Sequence, residues 1–234
     1  MPRIRVRSIP RRAFDAELVA RLHALGSSLL PEDAERFRLH AISNDVVHVF
    51  EQGDELVGFQ FWRVASLDLP RSRVILGGKL RVLPAFRGHA LHLRSGLRFY
   101  LETQLRHPLT RFYRLSFASL FGFVSITSAL AEYHVFDPRA GDAEGRALRA
   151  AFERFAAENE FRLDADTGLV FVDLHASETA FAAYPAAYYD RPEARRYAEL
   201  NPEFRHNGTN VVFWFRFTPR NLRALVGKIR AKRA

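Results

Sequence analysis

An α/β fold is predicted by three features of this 234-residue sequence. Strand-like segments with a two-residue alternation and helix-like segments with a 3.6-residue period succeed one another along the chain. A strand-like run from Val74 to Leu83 stops at Pro84 and passes directly into a long amphipathic helix. A second strongly β-forming run, VVFWFRF from Val211 to Phe217, lies near the other end. With 48% hydrophobic residues the chain has ample material for a packed core.

In order, Ile4 and Val6 alternate with Arg3, Arg5 and Arg7 in a half-exposed strand from Arg3 to Ser8. From Asp15 to Leu25, Leu18, Leu22 and Leu25 share one helical face, and Gly26 is placed to end that helix. Pro31-Glu32-Asp33 opens a second short helix through about Leu39. Val46 to Glu51, a Gln52-Gly53-Asp54 turn and Glu55 to Ala65 read as a hairpin. The third strand is interrupted by Gly77 and Gly78, the mark of a bulge or of close approach by another molecule. Beyond Pro84, Ala90, Leu93, Leu97, Tyr100, Leu101 and Leu105 recur at helical spacing, with Arg94, Arg98, Glu102 and Arg106 opposite. That helix is expected to begin at about Arg87-Gly88. Gly88 and Ala90 leave its first turn nearly bare, so free N–H groups at the positive end of the helix dipole, with Arg87 beside them, make an anion seat out of backbone.

The string VLPAFRGHALHLRSGL, Val82 to Leu97, resembles the acyl-CoA signature of the GNAT superfamily of N-acetyltransferases. Val82, Pro84, the Arg87-Gly88 pair and Ala90 fit its positions, while Ala85 stands where Gln or Arg is usual. Strand, two helices, hairpin, third strand and signature helix is the order in which that fold begins, so the resemblance spans about the first 135 residues. It implies a GNAT-like mixed, mostly antiparallel central sheet flanked by helices. It also implies that the loop amides of Arg87, Gly88, His89, Ala90 and Leu91 bind the CoA pyrophosphate and that Leu80, Arg81 and Val82 pair with the pantetheine arm. The co-substrate so implied is acetyl-CoA or another acyl-CoA, and the reaction is acyl transfer to an amine on a small molecule or protein.

The remainder, 136–234, reads as an elaborated C-terminal part of the same single domain, since no linker, repeat or low-complexity stretch marks a boundary. His107-Pro108 stops the signature helix, Arg111 to Leu120 alternates as a further strand, and Val124 to Tyr133 is expected to be the next helix. Gly141 to Glu160 forms a helix with Leu148, Ala151, Phe152 and Phe155 inward. Asp164 to Gly168 is a plain turn before a strand from Leu169 to Leu174, because the closing ligands of an EF-hand are missing. Phe181 to Asn201 is a broken helical or loop segment rich in Tyr and Pro, suited to core packing or to lining an acyl pocket. Asn207-Gly208 turns the chain into the last strand, and a basic amphipathic helix from Asn221 onward closes it.

Composition narrows the function. There are no cysteines, hence no disulfides, thiolate nucleophile or cysteine zinc site. No apolar run is long enough to span a membrane and no secretory leader is evident, so cytoplasmic residence is expected. The net charge of +9, mostly arginine, attracts anions in general: CoA phosphates, nucleic acid, anionic lipid or an acidic carrier protein.

Acyl transfer to an amine needs a route for the amine's proton, a dipole for the thioester oxygen and an acid for the leaving thiolate. The resemblance implies that amides near Val82 supply the dipole. The resemblance places a Glu on the signature strand, but RVILGGKLRVLP holds none. His48, in the alternation Val46, His48, Phe50, is the substitute base because imidazole titrates near neutral pH. Tyr133 is the candidate thiolate acid by resemblance. His89 and His92 lie one helical turn apart without a third ligand, so no metal is expected. Lys79 and Arg81 stand where the acid belongs and suit an anionic acceptor or an acidic acyl carrier protein as donor. An N-acyltransferase using acyl-CoA is the leading expectation. Its alternatives are an acyl-carrier-protein-dependent N-acyl synthase and a non-catalytic acyl-CoA-binding protein of the same fold; nucleic acid is not expected to be the partner.

Overall fold

In a computed structural model of the chain the described residues are 4–172 and 181–232. They fall into two compact units. The first comprises Met1–Ala65, Ile75–Thr110 and Val226–Ala234, and the second Ser66–Val74 and Arg111–Leu225.

The first unit holds β1 (Arg5–Pro10), α1 (Ala16–Leu29), α2 (Ala34–Ile42), β2 (Val46–Gln52), β3 (Glu55–Ser66), most of β4 (Ser72–Val82) and α3 (Leu91–Arg106). Its strands lie side by side in the order β1-β2-β3-β4. β1 and β2 pair antiparallel with Val6 opposite Phe50, and β2 and β3 pair antiparallel with His48 opposite Gln60. The β2–β3 turn uses Gly53 at φ 60°, a left-handed conformation that costs glycine nothing. Val47, Val49, Phe59 and Phe61 pack against Leu22, Phe37 and Ala41 of α1 and α2. Val6, Phe50 and Val57 pack against Leu91, the first residue of α3. Helices on both faces explain why β2 is buried without interruption from Val46 to Phe50, where a half-exposed strand would alternate.

Two expectations about α1 and α2 need correction. α1 passes through Gly26 and ends at Leu29. A Cβ at Gly26 would stand 3.3 Å from the Phe59 ring, so this glycine permits close helix-to-sheet packing and terminates nothing. α2 begins at Ala34 and runs to Ile42, one turn beyond the expected end. Both helices start where a carboxylate caps them: Asp15 accepts from the Leu18 amide and Asp33 from the Arg36 amide, at 2.7 and 2.8 Å.

The second unit contains β5 (Arg111–Ala118), α4 (Leu120–Thr127), β6 (His134–Val135), α5 (Ala143–Glu158), β7 (Arg162–Leu163), β8 (Val170–Phe171), α6 (Ala186–Tyr189), α7 (Pro192–Leu200) and β9 (Thr209–Arg216). The chain then continues into α8 (Pro219–Ala231). β9 pairs antiparallel with β5, β6 and β8, and β7 with β8. Its core gathers Phe123, Tyr197 and Phe213, buried between α4, α7 and β9. The Asp164 turn is a local hydrogen-bonded loop, with the carboxylate accepting from the amides of Asp166 and Thr167. α4 is shorter than expected and stops at Thr127, so Tyr133 stands outside it, just before β6. Of the strand expected from Leu169 to Leu174, the described part is Val170–Phe171, and positions 173 and 174 lie outside the described residues. The protein is thus an α/β fold with a mostly antiparallel sheet flanked by helices.

Candidate active site

The candidate site lies where β4 gives way to α3. Within β4, Lys79 adopts φ 40°, a left-handed conformation in which its Cβ crowds the backbone. This is the irregularity that the glycine pair announces. At Gly78 a Cβ would meet the His40 ring at 2.6 Å, so the bulge lets β4 and α2 approach more closely than any side chain allows. Further along, the Leu83 amide donates to the Val57 carbonyl at 3.0 Å and closes the strand. A 3-10 turn over Pro84–Phe86 then redirects the chain, with the Arg87 amide bonded to the Pro84 carbonyl at 3.2 Å.

From there the backbone turns twice through the left-handed region, at Gly88 (φ 88°) and at Ala90 (φ 51°), before α3 begins at Leu91. The helix therefore starts three residues later than its apolar spacing suggests. The reason is that Ala90 caps it in a left-handed conformation, anchored because Ala90 and Leu91 are both buried. Among the described residues no acceptor is hydrogen-bonded to the N–H groups of Gly88, His89, Ala90 or Leu91. Arg87, Gly88 and His89 are exposed, and a Cβ at Gly88 would meet nothing within 4 Å. Successive unpaired amides in such a turn, at the positive end of a 16-residue helix, form a concavity suited to an oxyanion group. Leu80, Arg81 and Val82 adjoin it along β4, with Leu80 exposed and the other two half-buried. The structure thus gathers all eight expected donor-binding residues, from Leu80 to Leu91, in one unit.

The two expected acid–base residues, His48 and Tyr133, belong to different units. His48 is fully enclosed on β2 beneath α3. Its Nδ1 lies 2.9 Å from Ser95 Oγ, which also accepts from the Trp62 indole N–H at 2.7 Å. Burial pushes its pKa down to about 4, against the opposing pull of Glu102. An imidazole without solvent-exposed surface, neutral at pH 7, meets no acceptor amine, so His48 is corrected from a base to a core residue that braces α3 against the sheet. Tyr133 belongs to the second unit, half-buried edge-on to Phe123 and Phe213 at 5.7 and 6.3 Å, and burial raises its pKa.

Lys79 is not a free cation. Its ammonium pairs with Glu32, on the segment between α1 and α2, over the face of Phe37. Burial lowers the Lys79 pKa, and the Glu32 carboxylate opposes that shift. Glu32 reaches Lys79 from 47 residues away in the sequence. Its only sequence signal is Pro31-Glu32-Asp33, which reads as an ordinary helix opening. Arg81 donates to the Leu80 carbonyl at 3.1 Å. No group of three or more metal-ligating side chains exists among the described residues.

No protein-family model matches the chain, and no curated protein matches it in sequence. Solved structures do. The chain is similar to the AHL synthase LasI at 9% identity, covering 97% of this chain and 96% of that one, with a TM-score of 0.50. It is also similar to ElaA of Escherichia coli (17% identity, 59% of this chain and 95% of that one, TM-score 0.39). A third is Naa50 of Arabidopsis thaliana in complex with the bisubstrate analogue CoA-Ac-MVNAL (11%, 91% and 99%, TM-score 0.40). The likeness to LasI extends over nearly the whole chain and concerns the fold alone. The fold is GNAT-like.

Proposed function

We propose that the protein is an N-acyltransferase that moves an acyl group from a thioester donor to an amine. The observation that carries this reading is the row of unpartnered amides from Gly88 to Leu91 at the end of β4. These amides, with Arg87, take the pyrophosphate of acyl-CoA, and Leu80, Arg81 and Val82 lie along its pantetheine arm. Glu32, held by Lys79, receives the proton of the attacking amine. The sulfur of the donor departs as a thiolate and takes its proton from water.

A second donor class has its own support. The likeness to an AHL synthase over 97% of the chain, together with the +9 charge, favours an acyl chain delivered on an acidic carrier protein.

Thermal unfolding with CoA, acetyl-CoA and a long-chain acyl-CoA tests the site. A ligand at about a hundred times its dissociation constant adds roughly 2.7 kcal/mol, which moves the midpoint by roughly 5–10 °C at this size. His89→Glu, which sets a carboxylate at the seat without straining a glycine conformation, is expected to abolish the shift. Glu32→Gln is expected to keep the shift and lose turnover. Absence of any shift removes acyl-CoA as donor, and turnover with acyl carrier protein then decides for the second class. A shift without turnover from either donor leaves a binding protein.

A further inference from the structure

Water-exposed apolar side chains collect at one end of the first unit. α3 runs along β1, with Arg94 donating to the Ile4 carbonyl, Arg98 to the Val6 carbonyl, and Ser8 to Glu102. The C-terminus of α3 therefore lies beside Pro10, where β1 ends. Arg11, the next residue, reaches the Ile42 carbonyl at 3.5 Å and so brings the end of α2 to the same place. Ile42 and Leu39 on α2, and Leu105 on α3, are exposed at or within one helical turn of this end, and Leu101, also exposed, lies just over one turn back. Leu109 follows in the turn after α3. Leu105 and Leu109 are 83% and 80% exposed.

Leu109 is not on a fraying end. The Gln104 side-chain amide donates to the carbonyls of His107, Pro108 and Thr110 at 3.1 to 3.2 Å, and the Thr110 amide donates to the His107 carbonyl at 3.0 Å. The turn is thereby fixed with its leucine outward. Arg11 and Arg12, which follow β1 directly, and Arg106, the last residue of α3, are exposed and without an ion-pair partner among the described residues.

We propose that this end of the first unit docks on a bilayer surface rich in anionic headgroups, with Leu105 and Leu109 entering the acyl layer and the three arginines meeting phosphates. Exposed leucines beside exposed arginines match an interfacial docking patch, in which apolar side chains enter the acyl layer while cations stay at the phosphates. Unpaired arginines at the same level add an attraction that grows with anionic lipid content and fades with salt. A second copy of this chain is disfavoured there, because like charges would face each other. The proposal is independent of the acyltransfer reading.

Co-sedimentation of the full chain with vesicles of phosphatidylcholine alone, or with about 30% phosphatidylglycerol, tests this. The expected result is binding to the anionic vesicles only, weakened at high salt. L105S/L109S is expected to reduce the partition coefficient roughly tenfold with unchanged circular dichroism, since neither side chain is in the core. R12Q/R106Q is expected to reduce it as well. Absence of binding to anionic vesicles overturns the proposal and leaves a soluble acidic partner for this face. Binding undiminished in L105S/L109S overturns it too, as does a dimer in sedimentation velocity that this variant dissolves.

Discussion

His48 is the residue at which sequence logic and tertiary environment part most sharply. The alternation of Val46, His48 and Phe50 identifies its face of β2 but not what covers that face, and Ser95, 47 residues away, closes it together with Trp62 of the neighbouring strand. Its burial has a measurable consequence. With the folded pKa depressed to about 4 from the ordinary 6.5, the unfolded state binds a proton more readily wherever the pH lies between these values. Stability is therefore expected to fall as pH drops from about 6.5 towards 4, by up to about 3 kcal/mol from this group alone. Urea unfolding of wild type and His48→Asn across that window checks the assignment. The variant's curve should be flatter, and parallel curves would place the titration elsewhere.

At the scale of elements, β3 and β4 meet at a point where only hydrogen fits. A Cβ at Gly58 would lie 2.6 Å from the Arg81 carbonyl oxygen and 3.1 Å from the Val82 Cα. Both are backbone atoms, so no rotamer change relieves the clash. Gly58→Ala is expected to destabilise the protein by about 1–3 kcal/mol, read as a lower denaturant midpoint. It should also weaken donor binding, because Arg81 and Val82 belong to the proposed pantetheine strand. Stability and binding both unchanged would show that β4 is free to shift. The glycines of this region thus do different work. Gly58 and Gly78 admit neighbours, Gly88 shapes the turn, and Gly26 fits α1 over Phe59.

For the whole molecule, 35 basic against 26 acidic residues leave a net charge whose self-repulsion opposes compaction. Salt screens that repulsion, with a Debye length of about 30 Å at 0.01 M and about 8 Å at 0.15 M. The unfolding midpoint is therefore expected to rise between those ionic strengths. A falling midpoint would show that local ion pairs such as Arg7 with Glu51 outweigh the net charge. No helix among the described residues is long and apolar enough to cross a membrane.

The sequence by itself determined the alternation of strands and helices, the β2–β3 hairpin, the stop at Pro84 and the turn that leads into α3. Each depends on information within a few residues: apolar period, proline's missing donor, glycine's access to left-handed conformations. The GNAT-like order followed from those segments. Tertiary structure alone decided which polar groups share a space. It closed α3 over His48, brought Glu32 to Lys79 and left Tyr133 outside the helix expected to carry it. It also delayed the start of α3 to Leu91, because burial of Ala90 and Leu91 holds a non-glycine residue in a conformation that local preference disfavours. Local periodicity identifies the face on which a side chain emerges. What meets it there depends on contacts between distant segments, and those set burial, charge pairing and protonation.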